Sequence, residues 1–213
     1  AQPRPDWPIN TCVSGYGFYD ARVEHNDLSP ELERFIKAGS APVVFALGSV
    51  AVYTAGNFFQ MAAEAADRLK RRAVLVVGKD TENPPVEGLP PNMITVDYVP
   101  YSKLFPKATA IVHQGGIGTT GQALKAGKPT LVVPFAHDQP DNARRLERLG
   151  ISKTLPLKRS SAGAMARALD ELLADADAIN RADQIGQKVR SEDGVAVACK
   201  AIEALLTIKK KKI

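Results

Sequence analysis

Hydrophobic positions along the chain fall into short unbroken runs separated by longer stretches of helical spacing. Val43-Val44-Phe45-Ala46-Leu47 is the first run and ends at Gly48-Ser49. Further strands are expected at 74–77, 93–97, 109–113 and 130–135, largely apolar, with a brief, more polar one at 152–155. Continuous rather than alternating apolar runs predict strands buried on both faces. Between them, residues 57–71, 101–107, 117–126 and 139–149 carry apolar residues at helical spacing. Arg68, Lys70, Arg71 and Arg72 close the first of these, where the helix dipole favours cations. Gly150 closes the last. Three more helical stretches, 161–174, 176–190 and 192–207, end the chain. Ahead of the first strand, Pro3, Pro5, Pro8 and Pro30 break periodicity, although 29–38 suits a short helix with Ser29 as N-cap and Pro30 at its first position. A Pro-rich loop, 83–92, parts the second and third strands.

Strand–helix alternation predicts an α/β fold: an open, doubly wound parallel sheet with helices on both faces. Residues 42–208 form the expected domain, 1–41 a lead-in or interdomain linker, and 209–213 a basic tail. Sheets of this class bind ligands beyond the carboxyl ends of their strands. The loops Gly48–Ala55, Gly78–Asp80, Tyr98–Tyr101, His113–Thr120 and Ala136–Asn142 are therefore where chemistry is expected.

Composition narrows the class. The chain has 213 residues, 45% of them hydrophobic, enough for one sizeable core. No run approaches the roughly 20 apolar residues of a membrane span, and the first residues lack the apolar core of a signal peptide. With Cys12 and Cys199 read as unpaired thiols rather than a disulfide, the expected location is cytoplasmic. Net charge is +5, but Lys209–Lys212 supply most of it, and the remainder is near neutral. A nucleic-acid partner is not expected. Contact of the lysine run with anionic lipid is the only hint of a membrane.

His113-Gln-Gly-Gly-Ile-Gly-Thr-Thr-Gly121 leaves a predicted strand and opens a predicted helix. Its glycines let a ligand approach the backbone, and the free N–H groups of the helix start attract an anion. With His113, Thr119 and Thr120 nearby, a phosphate or diphosphate site is predicted. Gly116, Gly118 and Gly121 also spell G-x-G-x-x-G, and Asp138 follows the next strand, so a dinucleotide site is an alternative. Against it, that fingerprint normally follows the first strand, and here it follows the fourth.

Three other loops add candidate groups. In Pro134–Asn142, a carboxylate beside amides suits adjacent sugar hydroxyls, and Asp138 could also simply cap the following helix. His137 is adjacent and could reach the same sugar. Tyr98, at the end of the third strand, could stack on a base. Gly48-Ser49, after the first strand, offers a further phosphate or sugar contact. Asp175-Ala-Asp177 spells an acid pair of the kind that holds a metal, but at a helix junction it reads as a cap. His25 reads as a solvated residue of the lead-in.

Taken together, His-x-Gly-Gly-x-Gly-Thr-Thr at 113–120, Ala-Gly-Lys-Pro at 126–129 and Val-Pro-Phe-x-x-Asp-Gln-x-x-Asn at 133–142 resemble the donor-binding half of GT-B glycosyltransferases. The likeness is to the family 1, UDP-glycosyltransferase-like branch acting on sterols, macrolides and other lipophilic acceptors. Arg4-Pro-Asp-Trp-Pro8 resembles the linker that precedes that half. The resemblance implies that His113, Gly115, Gly116, Gly118, Thr119, Thr120 and Ser49 hold the diphosphate. It implies that Tyr98, Val99 and Tyr101 meet the nucleoside, and that Asp138, Gln139, His137 and Asn142 meet the donor sugar. Tyr98 stands where the family usually has Trp or Phe, which leaves uridine and thymidine donors both open. Tyr101 stands where Gln is frequent, which puts the ribose contact in question.

The resemblance further implies inverting transfer of a hexose from a UDP- or TDP-sugar, with no metal and no cofactor. The acceptor pocket and general base would lie in an N-terminal half or subunit, leaving no catalytic residue in this chain and little turnover by the chain alone. A non-catalytic donor-presenting subunit, a nucleotide-sugar epimerase and an NAD-binding dehydrogenase domain are the alternatives.

Overall fold

The computed structural model describes residues 5–19, 27–79 and 81–210, the last four without their side chains. His25 and the end of the lysine run, together with the side chains of Lys209 and Lys210, lie outside the described residues.

Six parallel strands form one sheet. They are β1 (Val43–Ala46), β2 (Ala73–Val76), β3 (Met93–Val96), β4 (Ala110–His113), β5 (Thr130–Val132) and β6 (Ser152–Thr154). Their order is β3-β2-β1-β4-β5-β6. Alternate residues of each strand feed opposite faces. Val43 and Phe45 of β1, with Ala73 and Leu75 of β2 and Ala110 and Val112 of β4, enter one apolar cluster. Val44, Ala46, Val74, Val76 and Ile111 enter the cluster on the other side. Double-sided burial is why β1, β2, β4 and β5 read as largely apolar runs, whereas the edge strands β3 and β6 are only partly buried, contrary to the expectation that every strand is buried on both faces.

Helices α3 (Phe58–Arg68) and α7 (Ala162–Ala174) cover the first face. Helices α1 (Pro30–Lys37) and α4 (Tyr101–Leu104) lie on the second, where α5 (Ile117–Ala126) contributes Ala123. A third cluster joins α5, α6 (Gln139–Arg148) and α8 (Ala176–Arg190) through Leu124, Leu146 and Val189. Helix α1 begins as its sequence predicts, with Ser29 Oγ accepting from the Leu32 N–H at 3.2 Å. Asp175 caps α8, its Oδ1 accepting from the Ala178 N–H at 2.9 Å. Among the described residues no helix is long and apolar enough to cross a membrane, and Cys12 and Cys199 are free and exposed.

Three features depart from the sequence expectations. The Gly48-Ser49 turn is instead a short helix, α2 (Gly48–Ala51), entered through Gly48 at φ +68°. Strand β5 stops at Val132 rather than 135, because the Phe135 and Ala136 N–H groups are taken by the Gln139 side chain instead of a neighbouring strand. Part of the irregular lead-in packs on the domain: Tyr16 and Phe18 lie against the third cluster, and Lys125 Nζ sits 4.2 Å over the Phe18 ring. Gly194 opens the last helix, α9 (Gly194–Lys210), and a Cβ there would lie 2.6 Å from the Tyr16 carbonyl oxygen.

Candidate nucleotide site

The strand order reverses between β1 and β4, and the connections leaving these two strands diverge. A crevice at their carboxyl ends is the geometric result. A cavity of about 490 Å³ occupies it. The loop after β1 supplies Gly48, Ser49, Val52 and Tyr53. The loops after β2 and β3 supply Lys79 and Asp97–Tyr101, and the start of α5 supplies Gly118, Thr119 and Gln122. The lead-in closes the cavity with Tyr16–Tyr19.

The first turn of α5 is the polar end. Gly116 caps the helix in an extended conformation without a side-chain bond, and the Thr120 N–H makes the first intrahelical bond, to the Gly116 carbonyl at 2.9 Å. The N–H groups of Ile117, Gly118 and Thr119 therefore have no carbonyl within the helix. Gly118 has open space where a Cβ would sit. Gly115, at φ +90°, admits no side chain: a Cβ would lie 2.9 Å from Val132 Cγ1.

His113 ends β4 opposite Ala46 of β1. It is 0% exposed. Its Nδ1 accepts from the Gly115 N–H at 3.0 Å, which assigns the neutral proton to Nε2. Burial pulls the imidazole down to a pKa of about 4, so it is neutral at physiological pH. Nε2 is buried without a hydrogen-bond partner. An orphaned donor costs about 1–3 kcal/mol, an expense a bound anion would relieve.

The other end of the cavity is aromatic. Tyr98 stands exposed at the rim, whereas Val99 is buried below it. Tyr101 stacks on Phe105, ring centroids 4.3 Å apart. Burial, opposed by a hydrogen bond from the Gly48 N–H, pushes its phenol up to about 12. The hydroxyl thus stays protonated.

The remaining predicted residues are not brought to the cavity wall. His113, Gly115, Gly116 and Thr120 lie behind it. The β5–α6 loop sits on the far side of the glycine loop, where the Gln139 carbonyl approaches Gly115. Asn142 Nδ2 donates to the Gly115 carbonyl and to Asp138 Oδ2, both at 2.8 Å. Asp138 occupies the N-cap position of α6 but makes no side-chain cap. Gln139 Oε1 accepts from the Phe135 and Ala136 N–H groups at 2.7 and 3.0 Å, so it shapes the loop. His137 is exposed at φ +57°, a conformation non-glycine residues rarely hold. Sequence reasoning did not single out Gln122, Tyr16 or Tyr53 in the wall. Gln122 lies four residues after Gly118, so helical spacing already placed it on that face. Tyr16 carries no local signal.

Gly121 decides against the dinucleotide fingerprint. There the third glycine serves helix–strand packing. Here a Cβ at Gly121 would lie 2.7 Å from Tyr16 Cδ1, so the glycine accommodates a ring of the lead-in.

Comparison with known proteins places the fold in a family. Residues 63–205 match the family described as erythromycin biosynthesis protein CIII-like, C-terminal domain. The chain belongs to that family. It is 38% identical over 204 residues to an O-mycaminosyltylonolide 6-deoxyallosyltransferase of Streptomyces fradiae, covering 94% of this chain and 46% of that protein. It is 33% identical over 214 residues to a sterol 3-beta-glucosyltransferase of Debaryomyces hansenii, covering 94% of this chain and 13% of that one. The chain thus spans about half the macrolide relative and a small part of the sterol one. In structure it resembles the glycotransferase of kitacinnamycin (TM-score 0.73, 26% identity, 88% of this chain and 47% of that one). It also resembles CalG4, the calicheamicin glycosyltransferase (TM-score 0.68, 26% identity, 79% and 43%). The single parallel sheet with flanking helices is that of these GT-B neighbours.

Proposed function

We propose that this chain is the donor-binding half of an inverting, metal-independent glycosyltransferase. It would hold a UDP- or TDP-hexose whose sugar passes to a hydroxyl of a small lipophilic acceptor. The observation that carries the reading is the first turn of α5, which opens on the cavity through Gly118 and Thr119, while His113, with its Nε2 buried and unpartnered, lies behind that wall. The named activities of the macrolide and sterol relatives support the acceptor class.

In this reading the acceptor oxygen attacks the anomeric carbon as the nucleoside diphosphate departs. The α5 N–H groups and the Thr119 hydroxyl stabilise the charge that develops on the leaving group, with the His113 Nε2–H as a buried dipole behind them, and such fixed dipoles are usually a large catalytic contribution. No metal or cofactor enters. Neutral His113 cannot serve as the base, since its one lone pair at Nδ1 is spent on Gly115. The base and acceptor pocket would come from an N-terminal half or subunit. Tyr98 would stack on the base at the rim, and the Asp138–Asn142 corner would meet the sugar once the donor extends past the glycine loop.

Calorimetric titration with UDP, UDP-glucose, TDP-glucose and NAD tests this. UDP or a TDP-sugar should bind, and His113→Ala should weaken every diphosphate at least roughly tenfold. Asp138→Ala should weaken only the sugar-bearing ligands. NAD binding without binding of the diphosphates would overturn the reading.

A further inference from the structure

Gln114 stands between His113 and the paired glycines and has no part in the site described so far. It is 6% exposed. Its carboxamide lies between the two loops that flank the switch point. A Cβ at Gly48, after β1, would lie 2.4 Å from Gln114 Nε2, and one at Gly116, after β4, would lie 2.7 Å from the same atom. Both glycines therefore close on one amide nitrogen. Nε2 donates to Thr119 Oγ1 at 3.5 Å. Oε1 is buried without a hydrogen-bond partner, a cost that methionine would avoid in the same space.

The consequence falls on Thr119. A hydroxyl has one proton and two lone pairs. With Gln114 donating to its oxygen, the proton must point elsewhere. The usual target on a helix is the carbonyl four residues back. Here that is Gly115, where Asn142 already takes one of the carbonyl's two lone pairs. The competing direction is the cavity, which Thr119 lines and where an anionic oxygen is the stronger acceptor.

We propose that Gln114 is a positioning residue that turns the Thr119 hydroxyl into a donor aimed at the cavity and packs between the start of α2 at Gly48 and the start of α5, so that both face one diphosphate. The proposal rests on the diphosphate reading above. It separates diphosphate binding from nucleoside binding, because the observed partners of Gln114 are Thr119 and the backbone at Gly48 and Gly116.

The test titrates the protein with UDP and with uridine in four forms: wild type, Gln114→Met, Thr119→Val and the double variant. Wild type should prefer UDP. Gln114→Met should lower UDP affinity roughly tenfold while leaving uridine within about twofold, as loss of a hydrogen bond to a charged group predicts. In the Thr119→Val background the same change should have almost no further effect on UDP, since the hydroxyl it orients is gone. Equal losses for UDP and uridine, or an undiminished loss in the Thr119→Val background, would mean a merely structural glutamine and overturn the proposal. A wild-type preference for UDP that Gln114→Met leaves intact overturns it as well, while the diphosphate reading stands. A wild type that binds UDP no better than uridine removes that reading and the proposal with it.

Discussion

A Cβ placed on Gly48 would lie 2.4 Å from Gln114 Nε2, on a backbone held at φ +68°, whereas one placed on Gly118 would meet nothing within 4 Å. Sequence showed both as glycines of strand-end loops and could not separate them, because the difference lies in what a distant segment places beside each. The consequences of substitution should therefore be opposite. Gly48→Ala forces a left-handed L-residue and a clash, and should cost about 2–4 kcal/mol of stability. Gly118→Ala sits in a helical turn with room to spare and should leave stability within about 1 kcal/mol. Its methyl group, however, would stand where a diphosphate must approach the helix N–H groups, so UDP affinity should fall roughly tenfold or more. Urea unfolding midpoints and UDP titrations of the two variants measure both effects. A Gly118→Ala variant that binds UDP normally would remove this turn from the site.

At the level of elements, legibility followed local punctuation. Helix α5 was readable from 117 to 126 because Gly116 opens it and Gly127, left-handed at φ +69°, closes it. Helix α8 was readable from 176 to 190 because Asp175 caps it. The Tyr16–Phe18 strap was not readable, since its extended backbone has no period and its place is set by α5 and α9. Its rings stack at 5.7 Å, with Tyr16 lying over Gly121. Gly121→Ala should push the Tyr16 ring away and loosen one wall of the cavity. Proteolytic cleavage within residues 14–19 should speed up, and UDP affinity should drop a few-fold. Stability should change little, because alanine returns up to about 1 kcal/mol of helix propensity to α5. An unchanged cleavage rate would mean that the Phe18 and Gly194 contacts hold the strap without the ring.

At the scale of the whole molecule, the sheet dictates where chemistry collects. Buried apolar runs alternating with helices gave the parallel architecture from sequence alone, and the 3-2-1-4-5-6 order puts its switch point between the β1 and β4 ends. That same placement sinks His113 into the sheet and gives the fold a pH dependence. Its pKa is about 4 in the folded chain against an ordinary value near 6.5 when unfolded. Between these values the unfolded chain binds more protons than the folded one, so stability rises with pH across that window and is lost as pH falls through it. The full span is worth about 3 kcal/mol. Two surface carboxylates, Asp141 beside Arg145 and Glu171 beside Lys153, are held below their ordinary values, and they act at more acid pH. Unfolding free energy measured from pH 7 to 4.5 should therefore decline in the wild type and decline much less in His113→Leu, whatever the absolute stability of the variant. Saturating UDP should deepen the contrast at pH 7, because a ligand bound only to the folded state adds about 2.7 kcal/mol at a hundredfold excess over Kd and a tenfold weaker His113→Leu would lose about half of that increment. Parallel pH slopes in the two proteins would show that this histidine titrates normally, and the neutral Nε2–H donor on which the site depends would have to be abandoned.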